Sequence, residues 1–271
     1  MGVLNATPDS FFDGGRFDSH DASVAHAREL VESGAELVDV GGESTRPGST
    51  PVDAAEQIRR IEPAIEWLAR DGRAVISVDT ADPRVAERAL ELGAHAVNDV
   101  SCLRDPDLAR VTAKAGAVLV LMHSREPMSD LVGFSSYPDD AYGDVVEDVL
   151  SEWRAARDRA VSLGMAPEHV WLDPGIGFAK NARQSFVLLR RLDELACEGV
   201  PLVVGPSRKS FITAVDQAPP EERLGGTIAA CLHAVAKGAR VLRVHDVRPV
   251  RQALLVSRAA EGRAWEATHA R

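Results

Sequence analysis

Cysteine is scarce in this sequence. Cys102, Cys197 and Cys231 are the only three among 271 residues. They lie far apart with no CxxC pair, which excludes both a disulfide framework and a thiolate zinc pattern. The expectation is small buried residues in a reducing cytoplasm. No apolar run approaches the ~20 residues of a membrane span. Met1 opens directly on GVLNATPDS, so no signal peptide is expected. Aromatics reach only 5%, while Ala, Val and Leu abound, which suits an α/β protein better than a β-sandwich. Positive charge is in deficit: the net charge of −10 excludes a general attraction to nucleic acid or anionic membrane. Any anionic ligand must therefore meet a local basic cluster. There is no Ser-His-Asp arrangement, no linker and no low-complexity segment.

What is present begins with a recurring phrase. It reads SGAELVDVGG at 33–42, LGAHAVNDV at 92–100, KAGAVLVLMH at 114–123 and KGARVLRVHDV at 237–247. Each has Gly-Ala, a short β-branched run and then polar residues. Gly closing a periodic segment is a helix C-cap signal, so the phrase is a helix-to-strand junction. Completing the pattern predicts strands near 1–5, 36–41, 74–79, 95–98, 117–122, 169–173, 201–205 and 240–245. Helical patterns fill the gaps. In 55–70, Ile58, Ile61, Ile65 and Leu68 share a face; 82–93 and 105–116 open with Asp-Pro; 145–164 is long and amphipathic. Eight strands alternating with eight helices predict an α/β fold, a (β/α)8 TIM barrel over 1–271 as a single domain. The core is expected to about 260, with 261–271 as a tail and a short or truncated first strand. A doubly wound open sheet is the alternative. Against it, the first strand leads into NATPDSFFDGG and not into a GxGxxG helix start.

Catalytic groups of such barrels come from the C-terminal ends of strands. Those ends here carry Asn5, Asp39 and Glu43, Asp79, Asn98, His123, Asp173, Ser207 to Lys209, and Arg243 with His245. Each alone has an ordinary account. Asp79 or Asn98 can cap a helix, His123 reads first as a satisfied core histidine, and Arg243 in VLRVHDV can be one half of a buried ion pair. Together they describe a mouth with two sides. Ser207, Lys209, Arg243 and His245, from the last two strand ends, suit an anion such as phosphate. Asp79, Asn98 and Asp173 suit a flat heterocycle whose edge displays N–H donors. Divalent-metal ligation by Asp79 and Asp173 is the weaker alternative, since a third clustered carboxylate is missing.

The stretches MGVLNATPDSFFDGG, DVGGESTRPGS, SVDT, ND at 98–99, MH at 122–123, DPGIGFAK, GPSRKSF and RVHDV together resemble the dihydropteroate synthase family of pterin-binding enzymes. The resemblance spans nearly the whole chain. It implies a (β/α)8 barrel, commonly a homodimer, in the cytoplasm. It also implies a transferase of folate biosynthesis, inhibited by sulfonamides, that joins p-aminobenzoate to 6-hydroxymethyl-7,8-dihydropterin diphosphate and releases diphosphate with Mg2+. Carried over by motif, Asp79, Asn98, Asp173 and Lys209 would hold the pterin. Asn5, Arg243 and His245 would hold diphosphate, with Asn5 near Mg2+. Thr45, Arg46, Phe178 and Ser210 would frame the p-aminobenzoate site, and Asp13 is the first-loop carboxylate. Lys209, Arg243, His245 and Asp13 are the expected catalytic set. No strong general base or covalent nucleophile is required, since an aniline nitrogen attacks after diphosphate departs.

Three departures from the family pattern are visible. The family usually has more chain before the first strand. SREPMSDLVGFSSY stands at 124–137 where a glycine- and glutamine-bearing loop is usual. GFAK replaces the commoner GFGK, which sets Ala179 where a glycine-like backbone is expected. Rival readings are a pterin-dependent methyl-transfer domain, a non-catalytic pterin-binding paralogue and a sugar-phosphate barrel. The first has no need of SRKS, RVHDV or TRPG, the second predicts eroded loops, and the third leaves Asp79, Asn98 and Asp173 unexplained.

Overall fold

The structure is a computed structural model that describes residues 1–7, 19–43, 52–126 and 137–262. Its strands are β1 (Gly2–Asn5), β2 (Leu37–Gly41), β3 (Val75–Asp79), β4 (Ala96–Asp99), β5 (Val118–Met122), β6 (Val170–Asp173), β7 (Val203–Val204) and β8 (Val241–Leu242). The helices among the described residues are α1 (Ser19–Glu32), α2 (Ala54–Asp71), α3 (Pro83–Glu91), α4 (Pro106–Lys114), α5 (Val145–Ser162), α6 (Ala182–Arg190), α7 (Leu192–Ala196), α8 (Leu224–Ala236) and α9 (Val247–Ala260).

The repeated phrase is the helix-to-strand hinge it was read to be. Gly34, Gly93, Gly116 and Gly238 all have positive φ. After each, the alanine N–H reaches back five residues, as from Ala35 to the Leu30 carbonyl at 3.0 Å and from Ala94 to that of Ala89 at 2.9 Å. This closes the last helical turn and aims the chain into the next strand. The Asp-Pro starts behave as expected too. Asp82 accepts from the Arg84 N–H at 2.8 Å and Asp105 from the Asp107 N–H at 2.9 Å, capping α3 and α4.

Strands β1 to β6 lie side by side in chain order, all parallel, and β7 pairs with β8. Two bridges close the ring: Leu172 with Leu202 joins β6 to the seventh stave, and Gly2 with Val244 joins the eighth to β1. The result is the (β/α)8 barrel, and the open-sheet alternative falls away. Alternation along β2 turns Val38 and Val40 toward the helices, where they pack with Ile61 and Ile65 of α2, and turns Asp39 inward.

The last two strands are shorter than 201–205 and 240–245. Pro201 has no N–H to donate, and the eighth stave changes partner as it crosses. Arg243 donates its N–H to the Val204 carbonyl at 3.0 Å, whereas the next residue, Val244, donates to the Met1 carbonyl at 2.9 Å. Pairing continues through 244, but a regular ladder does not.

Candidate functional site

The inward-facing polar residues meet at the C-terminal rim. Asp79 ends β3, Asn98 lies beside it in register on β4, and Asp173 ends β6 opposite Met122. Arg243, one residue past β8, reaches across the mouth. Its Nε donates to Asp39 Oδ2 at 2.7 Å and its Nη2 to Asp79 Oδ2 at 2.6 Å. Asn98 Nδ2 donates to the same Asp39 oxygen at 2.9 Å. The ion-pair account of VLRVHDV is thus realised, at the centre of the mouth.

That centre is unfinished. Asp39 Oδ1 and Asp79 Oδ1 are buried with no hydrogen-bond partner among the described residues. A buried acceptor left unmade costs about 1–3 kcal/mol. Burial pushes the Asp79 carboxyl up to about 7, against the pull of Arg243 and with help from the charge of Asp39. Burial likewise raises Asp173, while Lys209, the Gly175 N–H and Arg243 draw it back. Two acidic groups with open acceptor oxygens can receive paired N–H donors from a flat ring.

Lys209 forms the opposite wall. Its Nζ donates to the Ile176 carbonyl at 2.5 Å and lies 4.2 Å above the Phe178 ring. Burial lowers its pKa to about 7, with Asp173 pulling it up and Arg243 pushing it down. A Cβ on Gly205 would stand 3.7 Å both from Lys209 Nζ and from Arg243 Cβ, so the two basic groups flank that glycine. Phe178 is 5% exposed and packs with Val100, Met122 and Ala179, an apolar shelf that a benzene ring could share.

His245 and Ser207 sit further out. His245 Nδ1 is 3.0 Å from the Ser207 hydroxyl oxygen, which also accepts the His245 N–H at 3.2 Å. Although the outer edge of His245 is exposed, lost hydration, then the charges of Arg243 and Arg208, lower its pKa. Arg208 itself has φ +58. That backbone is over-determined: its side chain chelates Asp246 at 2.8 and 2.5 Å, its N–H donates to Thr227 Oγ1 at 3.0 Å and its carbonyl accepts from Arg223 at 2.8 Å. Such clamping holds a sparsely populated conformation and so fixes the directions of Ser207, Lys209 and Ser210.

The structure therefore brings Asp79, Asn98, Asp173, Phe178, Ser207, Lys209, Arg243 and His245 to one rim, with Asn5 at the end of neighbouring β1. Asp13, Thr45 and Arg46 lie outside the described residues. His123 is the satisfied core histidine expected, fully buried with a partner on each ring nitrogen. Sequence reasoning placed Asp39 at a strand end but gave it no role, and it passed over Lys180. Asp39 had a signal: a carboxylate between two valines in a strand must find a buried partner. Lys180 had none, because its partner His123 is 57 residues away.

The pterin binding enzyme family matches residues 1–245. The chain is 44% identical over 254 residues to the dihydropteroate synthase of Synechocystis sp., covering 93% of this chain and 86% of the relative. Its structure is similar to that of Xanthomonas albilineans dihydropteroate synthase with 4-aminobenzoic acid, with TM-score 0.88, 40% identity and coverage of 97% and 93% of the two chains. It is also similar to the same Xanthomonas enzyme in complex with 7,8-dihydropteroate, with TM-score 0.85, 36% identity and coverage of 97% and 94%.

Proposed function

The chain belongs to the pterin-binding enzymes, and within them to the dihydropteroate synthases; from that premise we propose how its own residues carry the reaction. It joins p-aminobenzoate to 6-hydroxymethyl-7,8-dihydropterin diphosphate and releases diphosphate. The observation that carries the reading is Asp79 Oδ1, a buried acceptor without a partner among the described residues, set beside Asn98 and the Arg243 guanidinium. The amino-amide edge of a pterin supplies the missing donors, and Asp173 and Lys209 hold the rest of the ring.

Binding then releases Arg243 from Asp79. Asp39 keeps its grip on Nε, so the freed end of the guanidinium turns to the diphosphate together with His245 and Lys209. Their charge stabilises the departing anion, which lowers the barrier to breaking the C–O bond. The incoming diphosphate favours a protonated His245, opposing the pull of Arg243 and Arg208. The pterin-methyl cation is attacked by the aniline nitrogen, a C–N bond forms and that nitrogen sheds its proton. Phe178 and Ser210, with Thr45 and Arg46, frame the p-aminobenzoate, and Asp13 is assigned to the cation.

Among the described residues no group of three His, Cys, Asp or Glu is arranged to hold a metal. A lone amide oxygen fits Mg2+ that arrives on substrate phosphates and keeps most of its waters. Asn5 would hold it there, and the ion would neutralise charge on the leaving group.

We further propose one domain with a core to about 260, in keeping with the end of α9 at Ala260, and a reducing cytoplasmic setting that suits three free cysteines. No helix of the described residues is long and apolar enough to cross a membrane. A homodimer would cover the apolar groove of about 850 Å3 between α6 and α8, where Phe186 and Val215 are exposed; sedimentation of the full chain tests it.

Diphosphate release from the pterin substrate is the test of the reaction. Release should depend on p-aminobenzoate and Mg2+, and a sulfonamide should compete with p-aminobenzoate. No p-aminobenzoate-dependent release from folded protein would overturn the reading.

A further inference from the structure

Behind the mouth lies a second charged cluster that none of these steps uses. Lys180 is 1% exposed, and a buried ammonium is tolerated only when its protons are taken. Here Nζ donates to His123 Nδ1 at 2.9 Å, to the Phe178 carbonyl at 3.0 Å and to the His123 carbonyl at 3.3 Å. Three acceptors match three protons. With Nδ1 accepting, His123 carries its own proton on Nε2 and donates it to Glu152 Oε2 at 2.8 Å. Glu152, on α5, is held in turn by Arg125 at 2.9 and 2.6 Å, and the Arg125 guanidinium lies 3.8 Å above the Tyr142 ring. A continuous chain of bonds thus runs from the half-exposed flank of α5 to the backbone of Phe178.

The backbone it grips needs holding. Gly175, Gly177 and Ala179 all have positive φ. Its N–H groups are held by Phe178 N–H to the Gly175 carbonyl at 3.0 Å, Gly177 N–H to Ser185 Oγ at 3.2 Å and Gly175 N–H to Asp173 Oδ1 at 2.8 Å; Lys209 takes the Ile176 carbonyl, the Tyr142 hydroxyl that of Ala179, and Lys180 that of Phe178. It presses so closely on the end of β5 that a Cβ on Gly175 would stand 2.1 Å from the His123 carbonyl oxygen. Asp173 accepts the Gly175 N–H of this turn on Oδ1 at 2.8 Å, but its backbone has an anchorage of its own. It belongs to the β6 ladder, and its carbonyl accepts the His123 N–H at 2.9 Å.

We infer that Lys180, held by His123 and Glu152, is a positioning residue for Phe178, and hence for the p-aminobenzoate wall of the site and not for its pterin edge. The inference rests on the reaction proposed above. It follows that disturbing the chain loosens one substrate and spares the other.

Steady-state kinetics of the full chain, with both substrates varied, test this. Lys180→Met fills the pocket with an apolar chain of similar length. It should raise the KM for p-aminobenzoate about tenfold, equivalent to about 1.4 kcal/mol, while the KM for the pterin diphosphate stays within about twofold. Glu152→Gln leaves the buried pocket filled and should shift the same constant about threefold in the same direction. His123→Asn keeps an acceptor where Nδ1 stands, so it should lie closer to the parent chain than His123→Leu. Unchanged KM for p-aminobenzoate in folded Lys180→Met would overturn the inference. So would an equal rise in both KM values with a parallel fall in Tm, the mark of a purely scaffolding lysine. Should Lys180→Met not fold, Glu152→Gln decides by the same criteria. A parent chain without p-aminobenzoate-dependent diphosphate release would instead sink the reaction itself.

Discussion

Arg243 holds two buried carboxylates at once, and its removal should be felt in the fold as well as in the chemistry. Arg243→Ala leaves Asp39 and Asp79 buried and uncompensated, so chemical denaturation should show a loss of about 3–5 kcal/mol. Adding Asp39→Asn should return part of that loss, because the two sites share one network. Calorimetry of the single variant should show diphosphate binding weakened more than binding of the bare pterin. Asp79→Asn keeps the shape but turns a donor toward the ring's donors. Pterin affinity should fall at least about tenfold while the fold persists. Ala179 is a milder case. With φ +45 it occupies a backbone region that suits glycine, although its carbonyl is usefully fixed by the Tyr142 hydroxyl at 2.9 Å. Ala179→Gly removes the strain but loosens the unfolded chain, so a net gain of no more than about 1 kcal/mol in thermal or urea unfolding is expected.

Among the elements, helix starts are the most readily tested. Asp105 only caps α4, and Asp105→Ala should cost about 1 kcal/mol. Asp144 caps α5 by accepting from the Val146 and Glu147 N–H groups, and both its oxygens also bind Arg191 Nη1 at 2.9 and 2.7 Å. Asp144→Ala should therefore cost more, about 2 kcal/mol by urea denaturation. The starts of α3 and α4 were legible because aspartate before proline states its geometry locally. Strands β2 to β6 were legible for a similar reason: a left-handed glycine announces where the preceding helix stops. The staves at 203–204 and 241–242 were legible in position but not in length, since length depends on which neighbour supplies carbonyls. The site divides the same way. Asp79, Asn98 and Asp173 could be assigned because each ends a strand, whereas Glu152 looks like one more polar residue on an amphipathic helix. Only the folded chain sets it against His123, 29 residues away.

At the scale of the whole molecule, buried His123 ties stability to pH. Burial, then the charge of Lys180, lowers its pKa from 6.5 to about 4, against the pull of Glu152. Between these values the unfolded chain binds a proton that the folded chain refuses. Stability from this group is therefore present above pH 6.5 and is lost as pH falls toward 4, by at most about 1.4 kcal/mol per pH unit. Urea melts at pH 7 and pH 5 should show a steeper loss for the parent chain than for His123→Asn. Closure of the barrel has a consequence of its own. Six staves share long ladders, but the seventh and eighth are stitched by a two-residue ladder and by single bridges to either side. Native-state amide exchange should accordingly be fastest along that seam and slowest at Ile76 and Val78. The receptacle is rigid where it reads the heterocycle and most yielding where the spent anion must leave.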